Sequence, residues 1–111
     1  MTARRQGSII NVSSGVGRIG KARWGAYAVS KFAIEGFTQV LADELKDWSI
    51  RANAVNPGGT RTGMRAEAYP EEDPKTLPPA EEIMPVFVYL ASDEAAAVTG
   101  QSLDARDWMK K

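Results

Sequence analysis

Tyr27 and Lys31 stand four residues apart in a stretch with helical patterning, which puts both side chains on one face, one turn from each other. An ammonium beside a phenol favours the phenolate form, and such a pair can move protons near neutral pH. The chain has few other ways to do so. It contains no histidine and no cysteine, so Ser-His-Asp triads, thiolate nucleophiles, redox pairs and His or Cys metal sites are excluded, and no metal is expected. Ser14 lies thirteen residues before Tyr27, and Pro57-Gly58-Gly59-Thr60-Arg61-Thr62 forms a second polar, glycine-rich stretch.

The elements that must position these residues follow from hydrophobic period and breakers. Ser8–Val12 is a β-branched run bounded by Gly7 and Ser13-Ser14-Gly15, and it predicts a buried strand. From Gly25 to Asp47 the apolar positions Val29, Ala33, Phe37, Val40, Leu41 and Leu45 recur at helical spacing, with Lys31, Glu35, Asp43 and Lys46 elsewhere on the cylinder. A second strand, Ile50–Val55, stops at Asn56-Pro57-Gly58-Gly59. Residues 57–79 hold five of the six prolines and read as a long substrate or cofactor loop, with a short helix near Thr62–Tyr69. Pro79-Ala80-Glu81-Glu82 opens a helix that Pro85 is expected to kink, and Gln101-Ser102-Leu103 forms a third strand. The order βαβαβ predicts an α/β fold with a parallel sheet. In such sheets ligands bind at the carboxyl ends of the strands, where Ser14 and Pro57–Thr62 both fall.

Gly15-Val16-Gly17-Arg18-Ile19-Gly20 spells a literal G-x-G-x-x-G after a strand. A dinucleotide fingerprint needs its third glycine in the first helical turn and an acid at the end of the next strand. Here Lys21-Ala22-Arg23-Trp24 intervenes and the next strand ends in Asn53-Ala54-Val55-Asn56, so the motif reads better as a glycine-rich loop beside a site. Gly36, mid-helix, is expected where the helix packs closely on the sheet or another helix. Trp24, Trp48 and Trp108 are expected in core or edge packing, with interface anchoring as the alternative, and Arg61 and Arg65 are expected in solvent.

At 111 residues the chain is about one small domain, read as a single partial domain over 1–111. Its 43% hydrophobic and 25% charged residues suit a globular fold. Net charge is zero, which argues against nucleic-acid binding, although all six basic residues up to position 34 precede the first acid. That basic front half reads as a solvated face or the lining of an anion site. The longest apolar run, Val86–Ala91, has six residues, far short of the roughly 20 of a membrane span. Arg4-Arg5 leads into no signal-peptide core, so the expected location is the cytoplasm and no membrane partner is expected.

Taken together, Gly7–Ser14, Tyr27-Ala28-Val29-Ser30-Lys31, Asn53–Gly58 with Thr62, Leu90-Ala91-Ser92-Asp93 and Thr99-Gly100-Gln101 resemble, in order and spacing, the short-chain dehydrogenase/reductase family. The wording of Trp24–Tyr27 and Gly59–Thr62 is closest to bacterial members named oxoacyl-carrier-protein reductases. The resemblance implies the carboxyl-terminal part of a Rossmann-like, doubly wound parallel sheet. It implies an NAD- or NADP-dependent oxidoreductase that moves hydride between nicotinamide and a small-molecule alcohol or carbonyl substrate. It makes Tyr27 the general acid–base, gives Lys31 to Tyr27 and the nicotinamide ribose, and sets Ser14 on the substrate carbonyl. Pro57, Gly58, Gly59, Thr60 and Thr62 would lie against the nicotinamide, with Gly15 and Met64 facing substrate. Thr60 stands where many relatives carry an aliphatic residue.

Family members run to more than twice this length, and their first half carries the pyrophosphate loop, the residue choosing NAD or NADP, and a catalytic asparagine. Asn11, Asn53 and Asn56 do not match that asparagine and are read as hydrogen-bonders of loops and strand ends. The chain is therefore expected to be a fragment, inactive alone, with Ser8–Val12 left as a bare edge and Phe32 and Phe37 uncovered. The helix over Gly25–Asp47 and the last helix with its strand commonly form subunit interfaces in the family, so a homo-oligomer is expected. The alternative is a noncatalytic α/β module that uses the cleft for binding only.

Overall fold

The computed structural model describes residues 6–14, 22, 25–58 and 79–108. Strand β1 (Gly7–Val12), helix α1 (Gly25–Leu45), strand β2 (Ile50–Asn56), helix α2 (Pro85–Ala91) and strand β3 (Ser102–Asp104) follow in chain order. Their bounds lie close to those the hydrophobic pattern predicts. The strands form one parallel sheet in the order β1-β2-β3, with Gly7 paired to Ile50, Val12 to Val55 and Ala54 to Ser102. Parallel pairing requires a long crossover between successive strands, which α1 provides between the first two.

Side-chain alternation along β2 divides the sheet into two different faces. Val55 joins Ile83, Val86, Leu90, Ala95 and Ala105 in a buried apolar cluster, with Ile10 and Leu103 packed against it. This is the α2 face, and the Ser8 hydroxyl also donates to the Leu90 carbonyl at 2.8 Å. Ala52 and Ala54, both fully buried, point the other way, toward α1. The methyl groups let the helix approach closely, and α1 presents its own small buried residues, Ala28 and Ala42, together with Thr38.

The helix is turned differently from the simplest amphipathic expectation. Val29, Phe37 and Val40 are exposed, at 71%, 55% and 50%, while Lys31, Glu35 and Thr38 share the sheet side. Small residues on both sides, Ala52 and Ala54 on the sheet and Ala28, Thr38 and Ala42 on the helix, pack at close approach, and the larger apolar stripe turns outward. Gly36 does not mark close packing either, since a Cβ there would meet nothing within 4 Å. Pro85 does not kink a continuous helix: a single 3-10 turn over Ala80–Ile83 ends first, and Pro85 opens α2, where its missing N–H and fixed φ suit the first turn.

Phe32 is 45% exposed, and β1 lies at the sheet edge with β2 as its one strand neighbour among the described residues, as expected. Trp48 is exposed, whereas Trp108 stacks on Tyr89 with ring centroids 4.6 Å apart, a form of edge packing. The predicted short helix near Thr62–Tyr69, the 15–20 glycine motif, Trp24, Arg61 and Arg65 lie outside the described residues. No helix among the described residues is long and apolar enough to cross a membrane.

Asn53 secures the last strand. Fully buried, its Nδ2 donates to the Val98 carbonyl at 3.0 Å and its Oδ1 accepts from the Gln101 N–H at 3.1 Å. Asn53→Leu leaves both backbone groups without that partner and is expected to cost about 2–3 kcal/mol of unfolding free energy, measured by urea denaturation. A loss under about 0.5 kcal/mol would contradict this role for the amide.

Candidate active site

At the carboxyl ends of the strands, α1 is joined to the sheet by polar contacts. Ser14 is the second residue beyond β1, half-buried, and Ser13 before it is buried with its N–H donating to the Val55 carbonyl at 2.7 Å. That bond carries the strand pairing one residue past β1. Tyr27 and Lys31 occupy the first two turns of α1 and are both half-buried. The Lys31 Nζ donates to the Val12 carbonyl at 3.2 Å and lies 5.5 Å from the centroid of the Tyr27 ring. One ammonium thus links the end of β1 to the face of the tyrosine.

Two further turns extend the contact. The Ser13 hydroxyl donates to Glu35 Oε1 at 2.8 Å, and the Ser102 hydroxyl from β3 donates to the same oxygen at 2.7 Å. Asn11 Nδ2 donates to Thr38 Oγ1 at 2.9 Å, and the Thr38 hydroxyl donates to the Ile34 carbonyl at 2.8 Å. Asn11 and Ser102 are both register partners of Ala54, so they point to the same face of the sheet. Glu35 looks like a solvated helix charge from sequence, and only the rotation of α1 reveals it as a sheet contact. The Lys31–Glu35 spacing of four residues was the available signal.

The loop after β2 is shaped by Asn56, whose Oδ1 accepts from the Gly58 N–H at 3.0 Å while its Nδ2 donates to Asp104 Oδ1 at 3.0 Å. Gly58 has φ +72°, the left-handed region that favours glycine, and a Cβ built there would fall 2.6 Å from Nε of the exposed Arg106 side chain, which would have to shift. Asn56 is thus hydrogen-bonded at a strand end, as read, whereas Asn53 lies in the middle of β2 and reaches the segment before β3, and Asn11, inside β1, bonds Thr38 of α1. Pro57 is half-buried beside Gly58. Gly15, Gly59, Thr60, Thr62 and Met64, the other expected site residues, lie outside the described residues. Among the described residues no group of three or more Asp or Glu is placed to hold a metal ion. A groove of about 910 Å³ runs along α2, lined by Met84, Pro85, Val88, Tyr89 and Trp108 among others, but Ser14, Tyr27, Lys31 and Gly58 do not line it.

Residues 1–73 match the short chain dehydrogenase family. The chain belongs to this family. It is 52% identical over 104 residues to the uncharacterized oxidoreductase YciK of Escherichia coli strain K12, covering 94% of this chain and 41% of that protein. It is 42% identical over 118 residues to the 3-oxoacyl-[acyl-carrier-protein] reductase FabG of Pseudomonas aeruginosa, covering 98% of this chain and 47% of the relative. A crystal structure of a short chain dehydrogenase from Shigella flexneri 2a complexed with NADP superimposes with a TM-score of 0.86 at 52% identity, over 89% of this chain and 41% of that one. The α/β fold with its Rossmann-type parallel sheet is therefore that of the family, and the chain spans less than half the length of these relatives.

The Asn56 bridge can be tested apart from any reaction. Asn56→Ala should speed hydrogen exchange of the Gly58 amide by about tenfold, the loss of one hydrogen bond of roughly 1.4 kcal/mol. Unchanged exchange would mean that the loop holds its shape without the side chain.

Proposed function

We propose that this chain is the catalytic half of an NAD- or NADP-dependent oxidoreductase acting on a small-molecule alcohol or carbonyl substrate. The observation that carries the reading is the Lys31 ammonium, bonded to the end of the strand that leads to Ser14 and set against the ring of Tyr27. The nicotinamide half of a dinucleotide suits the residues present, because the Gly58 turn, exposed and without a side chain, follows the carboxyl end of β2 while Lys31 places a donor at the carboxyl end of β1. Lys31, Tyr27, Pro57 and Gly58 would hold it, with Gly59, Thr60 and Thr62 continuing the same loop. When bound, the dinucleotide supplies or accepts the hydride.

The chain's own residues then handle oxygen and proton. As the carbonyl carbon gains hydride, negative charge develops on its oxygen, where the Ser14 hydroxyl donates a hydrogen bond and the Tyr27 hydroxyl delivers its proton. Lys31 stabilises the resulting phenolate by its positive charge. In oxidation Tyr27 takes the proton from the alcohol. Gly15 and Met64 are proposed to face the substrate. The 111 residues alone are proposed to supply only part of a dinucleotide site and to turn nothing over, a reading that the more than twofold greater length of the relatives supports. A cytoplasmic setting, with its dinucleotide pools, fits this use. The test is Tyr27→Phe in the full-length protein, expected to cut NAD(P)H-dependent turnover by 10²-fold or more, roughly the upper range for a lost general acid, with an unchanged thermal midpoint. Unchanged turnover would remove Tyr27 from the reaction.

The same protein is proposed to self-associate. Val29, Phe32, Phe37 and Val40 form an exposed apolar face on α1, and Gly36 leaves a flat place in it where a second helix can approach. Phe37→Glu puts a charge in that face. It should lower the sedimentation mass at micromolar concentration, whereas a wild-type protein that is already monomeric would contradict the assembly.

A further inference from the structure

Tyr27, Lys31 and Glu35 follow at intervals of four along α1, one stripe of three successive turns. Ser13, bonded covalently to Ser14, is 2% exposed, so its hydroxyl needs an internal partner. It finds one in Glu35 Oε1 at 2.8 Å, and Ser102 of β3 donates to that oxygen at 2.7 Å. Hydrogen bonds to a carboxylate are among the stronger and more directional ones in proteins. Half-buried between helix and sheet, the carboxylate loses hydration that these donors replace. It therefore holds three elements at one point: the β1 exit, the start of β3 and the third turn of the stripe.

We infer that Glu35 is a positioning residue: by tying Ser13 and Ser102 to α1, it sets the separation between Ser14 on the β1 exit and Tyr27 and Lys31 on the helix. The inference rests on the proposed roles of those three residues. Glu35 is one residue from Ser14 through Ser13 and one helical turn from Lys31, so it forms a short link between the two halves of the site. The Lys31 contact to the Val12 carbonyl and the Ser13 N–H bond to the Val55 carbonyl also hold the exit, but the first reaches the strand two residues before Ser14 and the second ties it to β2, not to α1. Glu35 ties the intervening residue, Ser13, to α1. Reacting groups misplaced by about 1 Å lose rate by as much as 10²-fold, so a link of this kind is read in turnover before it is read in stability.

The test uses Glu35→Ala, Glu35→Gln and Ser13→Ala, with Tyr27→Phe as the control. In the full-length protein, Glu35→Ala should accelerate hydrogen exchange of the Ser14 amide by about tenfold while Val88 and Val98, whose N–H groups bond within their own turns, keep their wild-type rates. In the full-length protein, Glu35→Ala should lower kcat by about tenfold with less than about a twofold change in the KM for dinucleotide, and Ser13→Ala should do the same. The double variant should be no slower than the worse single one, because both remove the same link. Glu35→Gln retains an acceptor oxygen and should recover most of kcat. Local exchange or kcat that Glu35→Ala leaves unchanged overturns the inference, as does an exchange increase spread evenly over the sheet, which marks a merely structural residue. If Tyr27→Phe abolishes turnover and Glu35→Ala does not, the inference alone fails. If Tyr27→Phe has no effect, the functional reading fails first.

Discussion

The parallel pairing of β1 with β2 is the constraint from which the rest of the arrangement follows. Two parallel neighbours cannot be joined by a tight turn, so the chain must leave the carboxyl end of β1, return along a helix and re-enter at the amino end of β2. That path places the β1 exit and the first turns of α1 together at one end of the sheet. Lys31, on the Val12 carbonyl and 5.5 Å from the Tyr27 ring centroid, marks where the strand exit and the helix meet. The Ser13 N–H bond to the Val55 carbonyl continues the pairing beyond the strand and holds the exit in line.

The two faces of the sheet then divide the work. On the α2 side Leu90, Val86, Ile83 and Val55 bury apolar surface, and this cluster provides much of the driving force for folding. On the α1 side alanines at 28, 42, 52 and 54 allow close approach but contribute little area each. Near the carboxyl ends the contact is polar instead: Thr38 with Asn11, Glu35 with Ser13 and Ser102, and Lys31 with Val12. Apolar packing tolerates sliding by fractions of an ångström, whereas a hydrogen bond weakens steeply with distance and angle. Polar contacts are thus concentrated at the carboxyl ends of the strands.

Much of this was legible in the sequence, because strands and breakers are local signals. β1, β2, β3 and α1 follow from β-branched runs, helical period and the Asn-Pro-Gly-Gly stop, and the spacing of Ser14, Tyr27 and Lys31 carries the family resemblance. The rotation of α1 was not legible. Its larger apolar residues recur at helical spacing, so period alone favours burying Phe37, while the alanine face of β2 that decides otherwise becomes visible only when sheet and helix are assembled. Glu35 was hidden for the same reason. Pro85 was recognisable as a breaker, but whether a proline kinks one helix or opens another depends on whether the preceding residues make 3-10 or α hydrogen bonds, which composition does not specify.

The most direct test of the site is a crystal structure of the full-length protein with NADPH and a ketone-bearing substrate analogue. The Ser14 hydroxyl and the Tyr27 hydroxyl should both lie within about 3.2 Å of the analogue's carbonyl oxygen, with the Lys31 ammonium on the ribose side of Tyr27. A carbonyl oxygen bound elsewhere, with Tyr27 turned away from it and Lys31 in solvent, would contradict the placement of the reaction at the exit of β1.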